Sequence, residues 1–131
     1  MKQLALLVFA MFFSMSALAA DDSKEKPTQH LKIADVTSMA EAKEIFIDQT
    51  AQIRSKRKLN PEEAAQIHII TYTLEESIAY FAENLTDEKQ GVAKEMAVVV
   101  EDIHIASENN RLEKLRAHLD EYFSLVDKVV F

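Results

Sequence analysis

Apolar residues recur every three or four positions through four successive segments of the chain. This spacing places them on one side of an α-helix, which has about 3.6 residues per turn. The pattern therefore predicts four amphipathic helices, A to D, each with one apolar stripe. The stripes are Met39, Ala42, Phe46, Gln49 and Ile53 in helix A; Ala64, Ile67, Thr71, Leu74, Ile78, Phe81 and Leu85 in helix B; Val92, Met96, Val99, Ile103 and Ala106 in helix C; and Leu112, Leu115, Leu119, Tyr122, Val126 and Val129 in helix D.

Residues that cap helices stand at the ends of these segments. Helix A is predicted to run to about Lys58 and helix B to about Leu85, and helix C is predicted to end at Asn109 and Asn110. The predicted N-caps are Ser38 in a capping box with Glu41, Asn60 before Pro61, Thr86 with Asp87, and Asn110 in a box with Glu113.

Four helices of similar length joined by short loops bury their stripes most simply as an antiparallel up-down-up-down four-helix bundle. An all-α fold is also favoured by the scarcity of turn residues, because Gly91 is the single glycine and Pro27 and Pro61 are the only prolines. The alternative is a three-helix bundle with a loose helix A, since helix A is shorter and has Gln49 in its stripe.

The first 19 residues have the pattern of a cleaved secretory signal peptide. Lys2 precedes an apolar stretch of about a dozen residues, which is shorter than the ~20 of a membrane span. Ala17 and Ala19 form an Ala-x-Ala site, so cleavage is predicted after Ala19 and the protein is expected in the periplasm. The predicted organisation is a signal peptide over 1–19, a flexible segment over 20–37 and a bundle domain over 38–131, with no integral membrane segment after cleavage.

Charge and cysteine content exclude several classes of function. The net charge is −7, and it becomes −8 when cleavage removes Lys2, the one charged residue of 1–19, so nucleic acid is not expected as a partner. The chain has no cysteine, which excludes disulfides and a c-type haem. No arrangement of nucleophile, base and acid is evident, so no catalytic residues are predicted and the protein is expected not to be an enzyme.

Three histidines are candidate metal ligands: His68, His104 and His118. Counting along antiparallel helices puts all three within ~5 Å of one level of the bundle axis. One hand of the bundle brings His68 beside His104, whereas the other puts the three in separate grooves. We favour the second arrangement, because it pairs Lys43 with Glu75 and gives better apolar pairing.

The ligand chemistry remains open at this level. No cofactor is expected, although a metal ion or a b-type haem is kept as an alternative. Glu101 and His104 resemble half of a carboxylate di-iron motif, but the second half is missing and Glu101 is predicted to point outward. Gln49, Thr71 and Tyr122 stand at nearly one level of the stripes, so they are predicted to form a buried hydrogen-bonded layer.

A second candidate site is a partner surface on the outward side of helix B, formed by Ile69, Tyr72 and Tyr80. The segment containing Leu31 and Ile33 is an equally suitable cover for it. The partner would be a protein or a small ligand, and the protein is expected to be a monomer or a homodimer.

Two segments, HIITYTLE from His68 and HIASE from His104, resemble those of an uncharacterised family of short secreted bacterial helical proteins. The resemblance covers most of the chain after residue 19 and implies export and a helical fold. It also implies that His68, Tyr72 and His104 act together, which favours the first hand. Separately, LNPEE from Leu59 and LTDEK from Leu85 are loosely similar to segments of Spy-type periplasmic stress chaperones, without the glutamine of that pattern.

These observations predict a periplasmic, non-enzymatic binding or interaction module. The alternatives are a metal- or haem-binding bundle that uses His68, His104 and His118, and a Spy-like chaperone.

Overall fold

The computed structural model describes residues 35–56 and 58–129, and every regular element in these ranges is an α-helix. The predicted signal peptide, most of the segment 20–37, including Leu31 and Ile33, and the last two residues lie outside the described ranges. The helices are α1 (Met39–Arg54), α2 (Pro61–Asn84), α3 (Asp87–Glu108) and α4 (Leu112–Val126). None of these helices combines the length and the apolar character that a membrane span requires.

The four helices pack as a four-helix bundle, as the stripes predict. Each helix packs on the next in chain order, and α2 and α3 form the most extensive pair. Side chains join α1 to α4: Thr50 Oγ1 lies 2.6 Å from Tyr122 Oη, and Arg54 Nη2 lies 3.2 Å from Asp127 Oδ1. The alternative with a loose first helix is wrong, because α1 contributes Phe46 and Ile53 to the core.

The core contains most of the predicted stripe residues and several residues beside them. Gln49 is partly exposed, and its amide bonds to Asp48 on the surface. Thr50 takes its place and is the partner of Tyr122, while Thr71 Oγ1 donates to the His68 carbonyl. The predicted layer of Gln49, Thr71 and Tyr122 is therefore wrong. On α1 the buried polar residue is Thr50, one position after the predicted Gln49. One position corresponds to a rotation of about 100° around the helix axis.

Two of the predicted N-caps form as expected. Ser38 Oγ accepts from the Glu41 amide, while Glu41 Oε2 accepts from the amide of Thr37, one residue earlier than in a standard capping box. Asn60 Oδ1 accepts from the Glu63 amide at 2.8 Å, with Pro61 as the first helical residue.

Of the other two predicted N-caps, Thr86 is confirmed as the N-cap residue of α3, and Asn110 is wrong as the N-cap of α4. Thr86 holds the N-cap position of α3, but its side chain makes no capping hydrogen bond, and Asp87 has a positive φ of 54°. Asn110 lies in the turn that ends α3, as predicted, but it does not begin α4. It has a φ of 55°, its amide bonds to the Ser107 carbonyl, and the Arg111 amide bonds to the Ala106 carbonyl. These two bonds form a Schellman motif, so the N-cap of α4 moves to Arg111.

The buried face of α3 is wider than its predicted stripe. Beside the predicted stripe it buries a second row, which runs along the helix and faces the neighbouring elements. This row consists of Ala93, Val100, His104 and Ser107. The small side chains at its two ends are compatible with close packing, and His104 is fully enclosed at 1% exposure. A buried histidine needs a polar partner, and α2 supplies it.

Candidate functional site: a histidine, tyrosine and carboxylate cluster between α2 and α3

Two rows of chemically active side chains meet where α2 packs on α3. The row on α2 is His68, Tyr72 and Glu75, and the row on α3 is Glu101, His104 and Glu108. Members of each row are three or four residues apart, so each row follows one face of its helix. We call these six residues the α2–α3 cluster.

Three rings form the centre of the cluster. The ring centroids of His68 and His104 lie 4.9 Å apart, those of His68 and Tyr72 5.1 Å apart, and those of Tyr72 and His104 5.3 Å apart. Tyr72 Oη lies 3.1 Å from Nε2 of His68, at hydrogen-bond distance. The three aromatic side chains therefore form a nearly equilateral group, in which each ring contacts the other two.

His104 is the buried member of the group. Its Nδ1 lies 2.6 Å from Oε1 of Glu75, and its side chain is 2% exposed against 30% for Glu75. A carboxylate that bonds one imidazole nitrogen fixes the orientation of the ring and directs the second nitrogen to the opposite side. The Glu75–His104 bond therefore orients Nε2 of His104 away from Glu75.

Burial changes the acidity of two members of the cluster. It raises the pKa of Glu75, although the hydrogen bond and the charge of His104 act in the other direction. Burial also raises the pKa of Tyr72, and the nearby carboxylates of Glu108 and Glu75 add to this effect. Tyr72 is therefore held as a neutral phenol that can donate a hydrogen bond.

Two overlapping sets of potential metal-ligand atoms occur in the described residues. One set is His68, His104 and Glu108, and the other is Glu75, Glu101 and His104. Within each set the nitrogen and oxygen atoms lie within 4.8 Å of one another. The first set contains two imidazoles and one carboxylate, which together suit a borderline transition metal ion better than a carboxylate-rich set would.

The backbone under both histidines is held in the same way. Thr71 Oγ1 donates to the His68 carbonyl at 2.6 Å, and Ser107 Oγ donates to the His104 carbonyl at 2.8 Å. Both hydroxyl groups belong to buried residues three positions after the histidine. Each bond gives a buried hydroxyl group its hydrogen-bond acceptor. It also links the backbone of the histidine to the residue one helical turn later.

The arrangement of the histidines differs from the favoured prediction. The structure places His68 beside His104, so the preference for separate grooves is wrong. That preference was based partly on a predicted charge pair between Lys43 and Glu75. In the structure, Glu75 bonds to His104. The resemblance had grouped His68, Tyr72 and His104, and the structure does bring these three together.

His118 belongs to neither ligand set among the described residues. It is partly exposed on α4, with Nδ1 4.0 Å from Oε2 of Glu121, one turn further along the same helix. Glu101 differs from its predicted outward orientation, since it is partly buried and lies in the second set.

The residues of the predicted partner surface have different surroundings. Ile69 is 66% exposed, whereas Tyr72 faces the two histidines. Tyr80 packs against the core and lines a shallow groove together with Asp35 and Val36, so the segment before α1 lies beside it.

Sequence reasoning missed Glu75 and Glu108 as members of the site. Their signal is the spacing itself: Glu75 follows His68 by seven residues and Glu108 follows His104 by four. Those intervals put each acid on the same helical face as its histidine. They do not show that the two faces meet, which depends on how α2 packs against α3.

No curated protein and no solved structure matches the chain. A family model does match, over residues 1–130, which is nearly the whole sequence. The chain therefore belongs to DUF6746, a family of unknown function.

Proposed function

We propose that this protein is an exported, non-enzymatic binding protein that holds one divalent transition metal ion between α2 and α3. The ligands are His68, His104 and Glu108. The observation that carries the proposal is the convergence of these three side chains from two helices, with their ligand atoms within 4.8 Å of one another.

The donor set supports this class of ion. Imidazole nitrogen suits zinc, copper and nickel, and one carboxylate added to two imidazoles gives a three-ligand site of the kind that leaves a coordination position open. Calcium and magnesium prefer sites made of oxygen atoms alone, and two of these three ligands supply nitrogen.

The hydrogen bond between Glu75 and His104 supports the proposal independently. Histidines that bind metal ions almost always donate their other ring nitrogen to a carboxylate or a carbonyl group. Glu75 Oε1, 2.6 Å from Nδ1 of His104, has this relationship to the ring. His104 is then the prepared ligand at the base of the site, with Nε2 as the coordinating atom.

The other two ligands adjust when the ion binds. Ligand atoms around a tetrahedral zinc ion are about 3.4 Å apart, given zinc–ligand distances of about 2.1 Å, so atoms up to 4.8 Å apart must move closer. His68 and Glu108 are partly exposed and can change rotamer at the surface, whereas the buried His104 remains in place.

The test is a calorimetric titration of the chelator-treated, purified protein with Zn²⁺. We expect a single binding event, which His68→Gln and Glu108→Gln each weaken by at least tenfold. His118→Gln is the matched control, because His118 is also a partly exposed histidine and lies in neither ligand set. Far-ultraviolet circular dichroism of each variant checks that the bundle is intact.

Two results would contradict the proposal. The first is the absence of a zinc-binding event in the wild-type protein, which would make the α2–α3 cluster a structural hydrogen-bond network. The second is an equal loss of affinity in the His118 variant, which would place the ion elsewhere. Export is tested separately, by following the processed chain in periplasmic and cytoplasmic fractions.

A further inference from the structure

We infer that Tyr72 regulates the metal affinity of the site by competing with the ion for Nε2 of His68. This inference rests on the function proposed above. In the metal-free protein the Tyr72 hydroxyl group donates a hydrogen bond to that nitrogen, and the incoming ion replaces it.

The contact that carries the inference is within α2. Tyr72 follows His68 by four residues, so their side chains lie one turn apart on the same face. Tyr72 Oη is 3.1 Å from Nε2 of His68, and the two ring centroids are 5.1 Å apart. An unprotonated imidazole nitrogen has one lone pair in the plane of the ring, which accepts a hydrogen bond or binds a metal ion but cannot do both.

The same bond prepares His68 for the ion. When the phenol donates to Nε2, the proton of the neutral imidazole stays on Nδ1, which is the tautomer that coordinates through Nε2. On binding, the metal–Nε2 bond forms and the phenol hydrogen bond breaks, and no proton leaves His68. The phenol keeps its own proton when the hydrogen bond breaks, so the exchange releases no proton.

Tyr72 also contacts the second histidine ligand, because its ring centroid is 5.3 Å from that of His104 in an edge-to-face arrangement. A tyrosine released from His68 can therefore remain packed on His104 while its hydroxyl group turns away. The ring continues to fill the space beside the ion, and only the hydrogen bond is exchanged.

The experiment compares zinc affinity in the wild type, Tyr72→Phe and Tyr80→Phe. Phenylalanine keeps the ring of Tyr72 and removes the competing hydroxyl group, so we expect Tyr72→Phe to bind Zn²⁺ about two- to tenfold more tightly than the wild type. Tyr80 is the matched control, since it is a half-buried tyrosine two turns further along α2 and lines the groove that contains Val36.

A spectroscopic measurement accompanies the titration. Zinc saturation should change the near-ultraviolet tyrosine absorbance of the wild type and of Tyr80→Phe, because the Tyr72 phenol loses its acceptor. The change should be absent in Tyr72→Phe. The signal shows that zinc binds beside Tyr72, and the affinity of Tyr72→Phe decides whether the hydroxyl group competes with the ion.

Three outcomes overturn the inference, and they are distinguishable. If Tyr72→Phe binds zinc with the same affinity as the wild type, Tyr72 does not compete with the ion, and the proposed metal site is retained. Weaker binding in Tyr72→Phe, with an intact fold by circular dichroism, shows that the Tyr72 hydroxyl group supports metal binding and does not compete with the ion. Absence of zinc binding in the wild type removes the metal site and this inference together.

Discussion

Nδ1 of His104 and Oε1 of Glu75 lie 2.6 Å apart, and this bond joins the buried face of α3 to the partly exposed side of α2. The histidine is enclosed by the core, while the carboxylate extends to solvent. The pair satisfies a polar group that would otherwise be costly to bury. It also fixes the side of His104 that faces His68, which is the basis of the proposed metal site.

The first prediction concerns the pH dependence of stability through Glu75. Its pKa is raised above the ordinary value of 4.5, chiefly by burial, with His104 opposing the shift and Glu101 and Glu76 adding to it. A raised pKa means that the folded state holds the proton more tightly than the unfolded state. The contribution of Glu75 is therefore most favourable at acid pH and is lost as pH rises through the folded-state pKa.

Glu75→Gln removes this ionisation and keeps an oxygen atom that can accept from His104. We expect the unfolding free energy of the variant to improve relative to the wild type as pH rises above the ordinary glutamate value of 4.5. Urea unfolding at a series of pH values measures the difference. A wild type that gains stability relative to the variant over this range would show that the charge of His104 outweighs burial.

The second prediction concerns the buried bond between α1 and α4. Thr50 is 5% exposed and Tyr122 is fully buried, and their hydroxyl oxygens are 2.6 Å apart. Tyr122→Phe leaves the Thr50 hydroxyl without this partner inside the core, so the variant should lose about 1–3 kcal/mol of unfolding free energy.

Combining Tyr122→Phe with Thr50→Val removes both polar groups. The double variant should be less destabilised than the sum of the two single variants, because no unsatisfied hydroxyl group remains. Chemical denaturation of the four proteins in the cycle measures the coupling, and Tyr80→Phe serves as the control outside this bond. Additive effects would show that the hydroxyl groups do not stabilise each other.

The third prediction concerns the C-terminus of α3. Asn110 has a φ of 55°, in the left-handed region that glycine enters freely and asparagine tolerates. Asn110→Gly should therefore leave thermal stability unchanged or raise it slightly, whereas Asn110→Ala should cost about 1 kcal/mol. Equal stability of the two variants would contradict the Schellman geometry.

The fourth prediction compares two helix N-caps. The Asn60 side chain accepts a hydrogen bond from the Glu63 amide, whereas Thr86 makes no such bond. Asn60→Ala should cost about 1 kcal/mol, and Thr86→Ala should cost less than half of that. Thermal denaturation of both variants tests the comparison, and a larger loss at Thr86 would show that its side chain caps α3.

The number, type and approximate ends of the helices can be predicted from local sequence alone. Periods of three and four residues are a local property of the α-helix, so the stripes of α2 and α4 mark their buried faces without knowledge of the partner helices. The same is true of the caps at Ser38 and Asn60, whose hydrogen bonds lie within four residues along the chain.

Which flanking faces of the helices meet depends on how the helices pack together. His68 and His104 stand beside their stripes, and either hand of the bundle buries the same stripes, so periodicity could not choose between the two arrangements. The choice depends on packing of the second buried row of α3, where Val100 and His104 are enclosed against neighbouring helices. The difference between the predicted Gln49 and the observed Thr50 on α1 has the same origin. Thr50 is the buried residue because it contacts Tyr122 on α4, and local spacing does not contain this information.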